Sequence, residues 1–338
     1  FSLFELSDEG LISDGSWETL NSEIRDYLPE VSQFQIPDPE LRAETGCTDI
    51  YLFGTPGTGK TCLLMGLAGA NGHGGYTLNM RVNGGPYASA LQQFVNAGLT
   101  PGRTFGNYVT VINGSIYGQQ GSTKYVCPIN LVEMSGEEFA LRISEGASVK
   151  FSDMGTGATN LLTNTNRKVF FIIVDATKDK IKFEYEETIY DSEGNPIDTR
   201  IRRRYISQLD IINKFVGLFT LPENQEIMAR VDAIHFIVTK ADVLGDITER
   251  EDKAEQLIKG IYGGPVLTLK EYCSMSKRIN ATTDYKPMLF TFSLGQFYLG
   301  DVFRFNNSDT LKIVDAMRKI VMPVRKETWW DRFKRALN

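Results

Sequence analysis

The sequence predicts an α/β fold of three layers: a mostly parallel sheet covered by helices on both faces, with an inserted β-hairpin. Three observations carry this. An apolar strand (Ile50 to Phe53) runs straight into a Gly-rich loop and then an apolar helix, in the run IYLFGTPGTGKTCLLMGLA. Three later runs, KVFFIIV from Lys168, AIHFIV from Ala233 and MLFTFS from Met288, are unbroken apolar stretches, as in strands buried on both faces. Helical segments separate these runs, and such alternation builds a sheet with helices on both sides.

Composition sets the outer bounds. With 338 residues, 42 % hydrophobic and 23 % charged, the chain has the make-up of a globular protein with ample core. A net charge of -6 argues against a general nucleic-acid-binding surface, and no nucleic-acid partner is expected. Cys47, Cys62, Cys127 and Cys273 stand far apart without C-x-x-C spacing, which indicates neither a zinc site nor a disulfide framework and points to a reducing compartment. The two histidines, His73 and His235, lie in unrelated settings, so a His-centred triad is not expected; His235 reads as a packed core residue of AIHFIV. No apolar run approaches the roughly 18 residues of a membrane span, no signal peptide is read, and the expected location is cytoplasmic.

Residues 1–47 read as an N-terminal extension, in which Ser16 caps a helix with Trp17, Leu20, Ile24 and Leu28 on one face. Residues 48–322 read as the main domain, with insertions near 69–100 and 180–206. After the first loop and helix comes a Gly-rich stretch, Gly69 to Gly85, and then a helix from Pro86 to Gly98. Asn107–Tyr117 and Thr123–Glu133 form an antiparallel hairpin, and Lys168 to Val174 a buried strand ending at Asp175. A second hairpin, Ile181–Tyr205, turns at Ser192-Glu193-Gly194-Asn195-Pro196. Asp210–Leu218, Glu249–Ile261 and Ser308–Ile320 read as helices, with strands at Ala233–Val238 and Met288–Ser293. Residues 323–338 form a basic, aromatic C-terminal helix, with Trp329, Trp330, Phe333 and Leu337 as its apolar stripe. That helix could touch a membrane surface peripherally or bind a partner; docking on its own domain is the preferred reading.

Two motifs carry chemistry. Gly54-Thr55-Pro56-Gly57-Thr58-Gly59-Lys60-Thr61 fits G-x-x-x-x-G-K-[ST] in the strand-loop-helix setting it requires. The glycines let successive N–H groups face phosphate oxygens, and the helix start adds partial positive charge. Lys60, its head expected to be exposed, can reach the terminal phosphates, and the Thr61 hydroxyl can ligate Mg²⁺. The second motif, Thr239-Lys240-Ala241-Asp242, ends the strand AIHFIV. A carboxylate at Asp242 can accept from the N1–H and N2–H₂ of guanine, donors that adenine lacks. The Lys240 stem can lie along the purine face.

These residues resemble the P-loop GTPases of the small-GTPase type, as a divergent member with insertions. The resemblance spans roughly residues 48–322 and implies the G-domain form of the P-loop NTPase fold. The phosphate loop through Cys62 matches the family's first motif, Thr239-Lys240-Ala241-Asp242 its guanine motif, and Ser293-Leu294-Gly295 the loop whose backbone touches the guanine oxygen. The family's D-x-x-G motif corresponds to Glu133-Met134-Ser135-Gly136. The resemblance therefore implies a Mg²⁺ shell of Thr61, a switch threonine and Glu133, and a γ-phosphate contact at Gly136. Thr104 is the preferred switch threonine, with Thr100 and Thr110 as competitors. It implies a guanine-nucleotide-binding protein that hydrolyses GTP slowly and acts as a molecular switch.

Departures from the family matter. Glu133 is one methylene longer than the family's Asp. Glu137 stands where Gln often orients the attacking water, so weak intrinsic hydrolysis is expected. Arg103 is nominated as a catalytic arginine in cis, by analogy with heterotrimeric G-protein alpha subunits. Protein partners are expected at the switch regions or at the 181–205 hairpin, where Arg200, Arg202, Arg203 and Arg204 cluster. Two other readings stay open. One is a non-hydrolysing pseudo-GTPase scaffold. The other is an ATPase, since GTPGTGKT also resembles the loop of AAA-type ATPases; against it, Asp175 is followed by Ala176 rather than Glu.

Overall fold

Strand β1 (Thr48–Phe53) is buried along all 6 of its residues, and the sheet is built around it. In the computed structural model of the chain, the described residues are 43–81, 84–101, 109–120, 122–144, 150–151, 154, 156–177, 179–246, 248–276, 279, 288–299 and 302–322. The readings made for residues 1–42 and 323–338, and those for Arg103 and Thr104, lie outside them.

Strand β1 runs parallel between β4 (Thr123–Met134) and β5 (Arg167–Asp175). Past β5 come β8 (Val231–Thr239) and β9 (Leu289–Phe292), also parallel. On the other side β3 (Val109–Gln120) pairs antiparallel with β4 as the long hairpin, and β2 (Tyr76–Leu78) closes that edge antiparallel to β3. The order is β2-β3-β4-β1-β5-β8-β9, a mostly parallel sheet of 7 strands. The inserted hairpin, β6 (Lys180–Tyr190) with β7 (Pro196–Ser207), stands apart as its own sheet.

Side-chain alternation in β1 divides the core in two. Tyr51 and Phe53 point to one face, with Phe170, Ile172, Phe236 and Val238. That face is covered by α3 (Gly136–Ser144), α4 (Thr156–Thr163), α5 (Gln208–Gly217), α7 (Arg250–Ile261) and α8 (Gly263–Met275), and the short α6 (Gln225–Met228) closes its rim. Ile50 and Leu52 point to the other, with Val169, Phe171, Ala233 and Ile237, under α1 (Lys60–Gly69), α2 (Gly85–Ala97) and α9 (Ser308–Val321). Helices thus flank both faces, as the alternation of runs predicts.

The differences have local causes. Helix α8, where no element is expected from the sequence, begins Gly263-Gly264-Pro265; proline in a first turn gives up only an N–H that lacks a helical partner. Helix α4 and the hairpin β10 (Gly295–Leu299) with β11 (Val302–Phe305) are too short to leave a periodic pattern. Strand β2 hides among the glycines of the 69–85 stretch.

At the amino end of β1 the buried carboxylate of Asp49 accepts from the amides of Asn130 (2.6 Å), Asn166 (2.9 Å) and Asn164 (2.7 Å). The Lys168 ammonium donates to Asn164 Oδ1 at 2.8 Å and closes this buried network, which ties β1, β4 and β5 together. Among the described residues no helix is long and apolar enough to cross a membrane.

His235 is a core residue as expected. Its ring lies 5.8 Å from that of Phe171 and 5.6 Å from that of Phe290, and Nδ1 accepts from the Met288 N–H at 3.1 Å. Burial pushes its pKa down from 6.5 to about 3. The unfolded chain therefore binds a proton below pH 6.5 that the folded chain refuses. Its contribution to stability is complete above pH 6.5 and is lost as pH falls towards 3. Denaturant titrations at pH 7 and 4.5 are expected to differ by roughly 2 to 3 kcal/mol more in the parent protein than in His235→Phe.

Candidate functional site

Strands β1, β4, β5, β8 and β9 are parallel, so their carboxyl ends share one edge of the sheet. Ligands of open α/β sheets bind outside that edge. The loop from Gly54 leaves β1 here and enters α1, whose start has no side-chain cap. Gly57 and Gly59 take φ of 72° and 82°, left-handed values that glycine adopts without steric cost. Thr58 Oγ1 donates to the Thr55 carbonyl at 2.8 Å, while Thr55 Oγ1 is buried and has no partner among the described residues.

Lys60 corrects one expectation. Rather than being exposed, it is buried at 7 %, and its ammonium donates to the carbonyls of Gly54 (2.9 Å) and Thr55 (3.1 Å). Burial lowers its pKa, opposed by the charges of Glu133 and Glu137. Gly136, at the start of α3, lies close against the Lys60 head and the loop. A Cβ there would stand 2.6 Å from Lys60 Nζ and 2.7 Å from the Pro56 nitrogen, so the glycine seats directly on the loop.

Thr61 Oγ1 donates to Glu133 Oε1 at 2.8 Å. The other oxygen, Oε2, accepts from the Tyr87 hydroxyl at 2.8 Å. Burial raises the pKa of Glu133, against the hydrogen bonds from Tyr87 and Thr61 and the charge of Lys60. Glu137 is half-buried in the first turn of α3, with Oε2 3.4 Å from Ser135 Oγ. Glu138 faces Arg142 at 2.7 Å. Cys62 follows on α1, half-buried against the core.

The second motif gathers at the ends of β8 and β9. Thr239 binds the loop, its hydroxyl 2.6 Å from the Thr58 carbonyl and 3.0 Å from that of Val174. Lys240 has φ 54°, the one positive value among described non-glycine residues, and its ammonium reaches Asp175 Oδ2 at 2.6 Å. The head of Lys240 is thus anchored on β5. Asp242 is exposed, and no hydrogen bond to its carboxylate occurs among the described residues. It lines a cleft of about 440 Å³ together with Ser293, Gly295 and Asn306.

In the loop after β9 the Ser293 N–H donates to Asp309 Oδ2 at 3.1 Å. Leu294 keeps its N–H free of partners among the described residues. Asp309 in turn holds Arg250 at 2.5 Å, both buried.

The structure therefore brings Lys60, Thr61, Glu133, Gly136 and Glu137 to one point, and Asp242 and Ser293 to a second on the same edge. Tyr87, the Asp175 anchor and the Arg250–Asp309 pair escaped the sequence reading. Tyr87 sits in the insertion with no motif around it, and Asp309 reads as an ordinary acidic residue in a helix's first turn. Among the described residues no three His, Cys, Asp or Glu side chains gather as a metal cluster. The hydroxyl of Thr61 beside the carboxylate of Glu133 is instead a pair of hard oxygen donors, the kind of set that holds Mg²⁺ with several waters. No protein-family model matches the chain, and no curated protein matches it.

Lys60→Ala removes the ammonium from the Gly54 carbonyl and one of the donors to the Thr55 carbonyl, and leaves Glu133 without its nearby cation. It is expected to lower unfolding free energy by about 2 to 4 kcal/mol, read by urea titration.

Proposed function

We propose that this chain is a guanine-nucleotide-binding protein of the P-loop GTPase class, of small-GTPase type, that hydrolyses GTP slowly and works as a switch. The observation that supports it most is the meeting of Lys60, Thr61 and Glu133 beneath Gly136, where the loop leaves the central strand. A triphosphate competes with the Gly54 and Thr55 carbonyls for the Lys60 ammonium. The loop N–H groups and the start of α1 cradle its oxygens. The Thr61 hydroxyl and the Glu133 carboxylate would hold Mg²⁺, which neutralises charge developing on the phosphates. Thr104, from the segment after α2, remains the proposed third contribution to that shell, and Arg103 the proposed arginine in cis.

Gly136 lies against both the loop and Lys60, so a γ-phosphate there displaces or orders the start of α3. That is the switching step of this reading. At the base end, Thr239 and Lys240 brace the loop and strand ends, and recognition falls to Asp242 and the Leu294 N–H.

Asp242→Asn is expected to weaken GTP and GDP binding by roughly tenfold to a hundredfold and to improve binding of xanthine nucleotides, measured by calorimetry. Equal affinity of the parent protein for ATP and GTP would refute the reading.

Glu137 supports slow turnover. A carboxylate whose charge is felt at Lys60 adds negative potential where phosphoryl transfer develops more. Glu137→Gln is expected to raise the single-turnover GTP hydrolysis rate several-fold. Tight binding without hydrolysis in both proteins would favour the non-hydrolysing scaffold instead.

A further inference from the structure

We infer that Tyr87, on the inserted helix α2, is a positioning residue that fixes the Glu133 carboxylate for the magnesium ion; this rests on the functional reading above. The geometry divides the two oxygens of Glu133 between two helices. Oε2 is held by the Tyr87 hydroxyl at 2.8 Å, and Oε1 faces the Thr61 hydroxyl at 2.8 Å. Tyr87 is fully buried, so no water competes for its hydroxyl and its ring cannot turn aside. Glutamate carries one more rotatable bond than the aspartate it replaces in the resemblance. A buried donor on one oxygen removes that freedom and leaves the other oxygen aimed at Thr61.

The helix that presents Tyr87 is itself fixed at both ends. Gly85 at its start sits against the backbone of Asn79 and Met80, where a Cβ would approach Met80 to 2.4 Å. At its far end the Gly98 carbonyl accepts from the Phe303 N–H at 2.8 Å, and Leu99 bridges Val302. Buried Leu91, Phe94 and Val95 pack the helix into the core between. The inserted helix thus supplies a support shell to the metal site. Such outer partners of metal-binding carboxylates typically change metal affinity by 10- to 100-fold when removed.

The test is Tyr87→Phe, which keeps the ring and deletes the hydroxyl. GDP binding is titrated with increasing Mg²⁺ and separately in EDTA, with thermal unfolding in EDTA as a check on packing. Tyr87→Phe is expected to raise the half-saturating Mg²⁺ concentration by about 10-fold or more. GDP affinity in EDTA is expected to stay within about twofold of the parent. Phe94→Leu, a packing change on the same helix away from Glu133, is expected to leave the Mg²⁺ half-saturation unmoved. If Tyr87→Phe proves too unstable to titrate at the working temperature, the same titration in the cold is to show the same selective loss. An unchanged Mg²⁺ half-saturation in a folded Tyr87 variant, or equal losses with Mg²⁺ and in EDTA, overturns this inference alone. GDP binding by the parent with no dependence on Mg²⁺ likewise overturns this inference alone, whereas a folded parent that binds no GDP overturns the functional reading and the inference with it.

Discussion

Burial of β1 is the constraint on which the rest of the structure depends. Its 6 residues are covered above, below and on both edges, so every polar group it needs must sit at one of its two ends. At the amino end the solution is static. Asp49 binds three amides, and Lys168 closes the set. Buried polar groups of this kind are costly unless fully paired, and pairing them locks three neighbouring strands in register. At the carboxyl end the chain turns back on itself through glycine, and polar atoms remain in hand: Thr55 Oγ1, the Asp242 carboxylate and the Leu294 N–H. One end is settled and the other is poised.

The poised end is held by three charges in close quarters. The charges of Lys60 and Glu133 act on each other, that of Glu137 acts on both, and burial opposes the charged state of Lys60 and of Glu133. Two hydroxyls, from Thr61 and Tyr87, satisfy the carboxylate without adding charge. The cluster is therefore balanced by hydrogen bonds from different elements, and a new charge brought to the loop must rearrange all of them.

The fold was legible because long, unbroken apolar runs mark buried parallel strands, and KVFFIIV and AIHFIV are such runs. Element ends were blurred where short pieces or glycines intervene, as at β2, α4 and the start of α8. The turn from Gly54 to Thr61 was legible as a strand-loop-helix junction because its glycines stand at a fixed spacing between an apolar strand and an apolar helix. Partners drawn from distant elements obey no spacing. Tyr87 lies 46 residues from Glu133, and Arg250 lies 59 from Asp309. The direction of the Lys60 head was equally hidden, since it turns back to the Gly54 and Thr55 carbonyls of its own loop, a geometry that spacing alone does not reveal.

Helix α2 is a tie-rod of 13 residues, about 20 Å long, joined to Glu133 near its first turn and to β11 just past its last. A rod pinned at both ends has a fixed length and a fixed phase. One inserted residue would lengthen it by about 1.5 Å and turn one pin by about 100° relative to the other. No rotamer of Tyr87 recovers such a turn. The helix is thus dimensioned as tightly as the loop beside it, and a change of chain length is tolerated only outside residues 85–99.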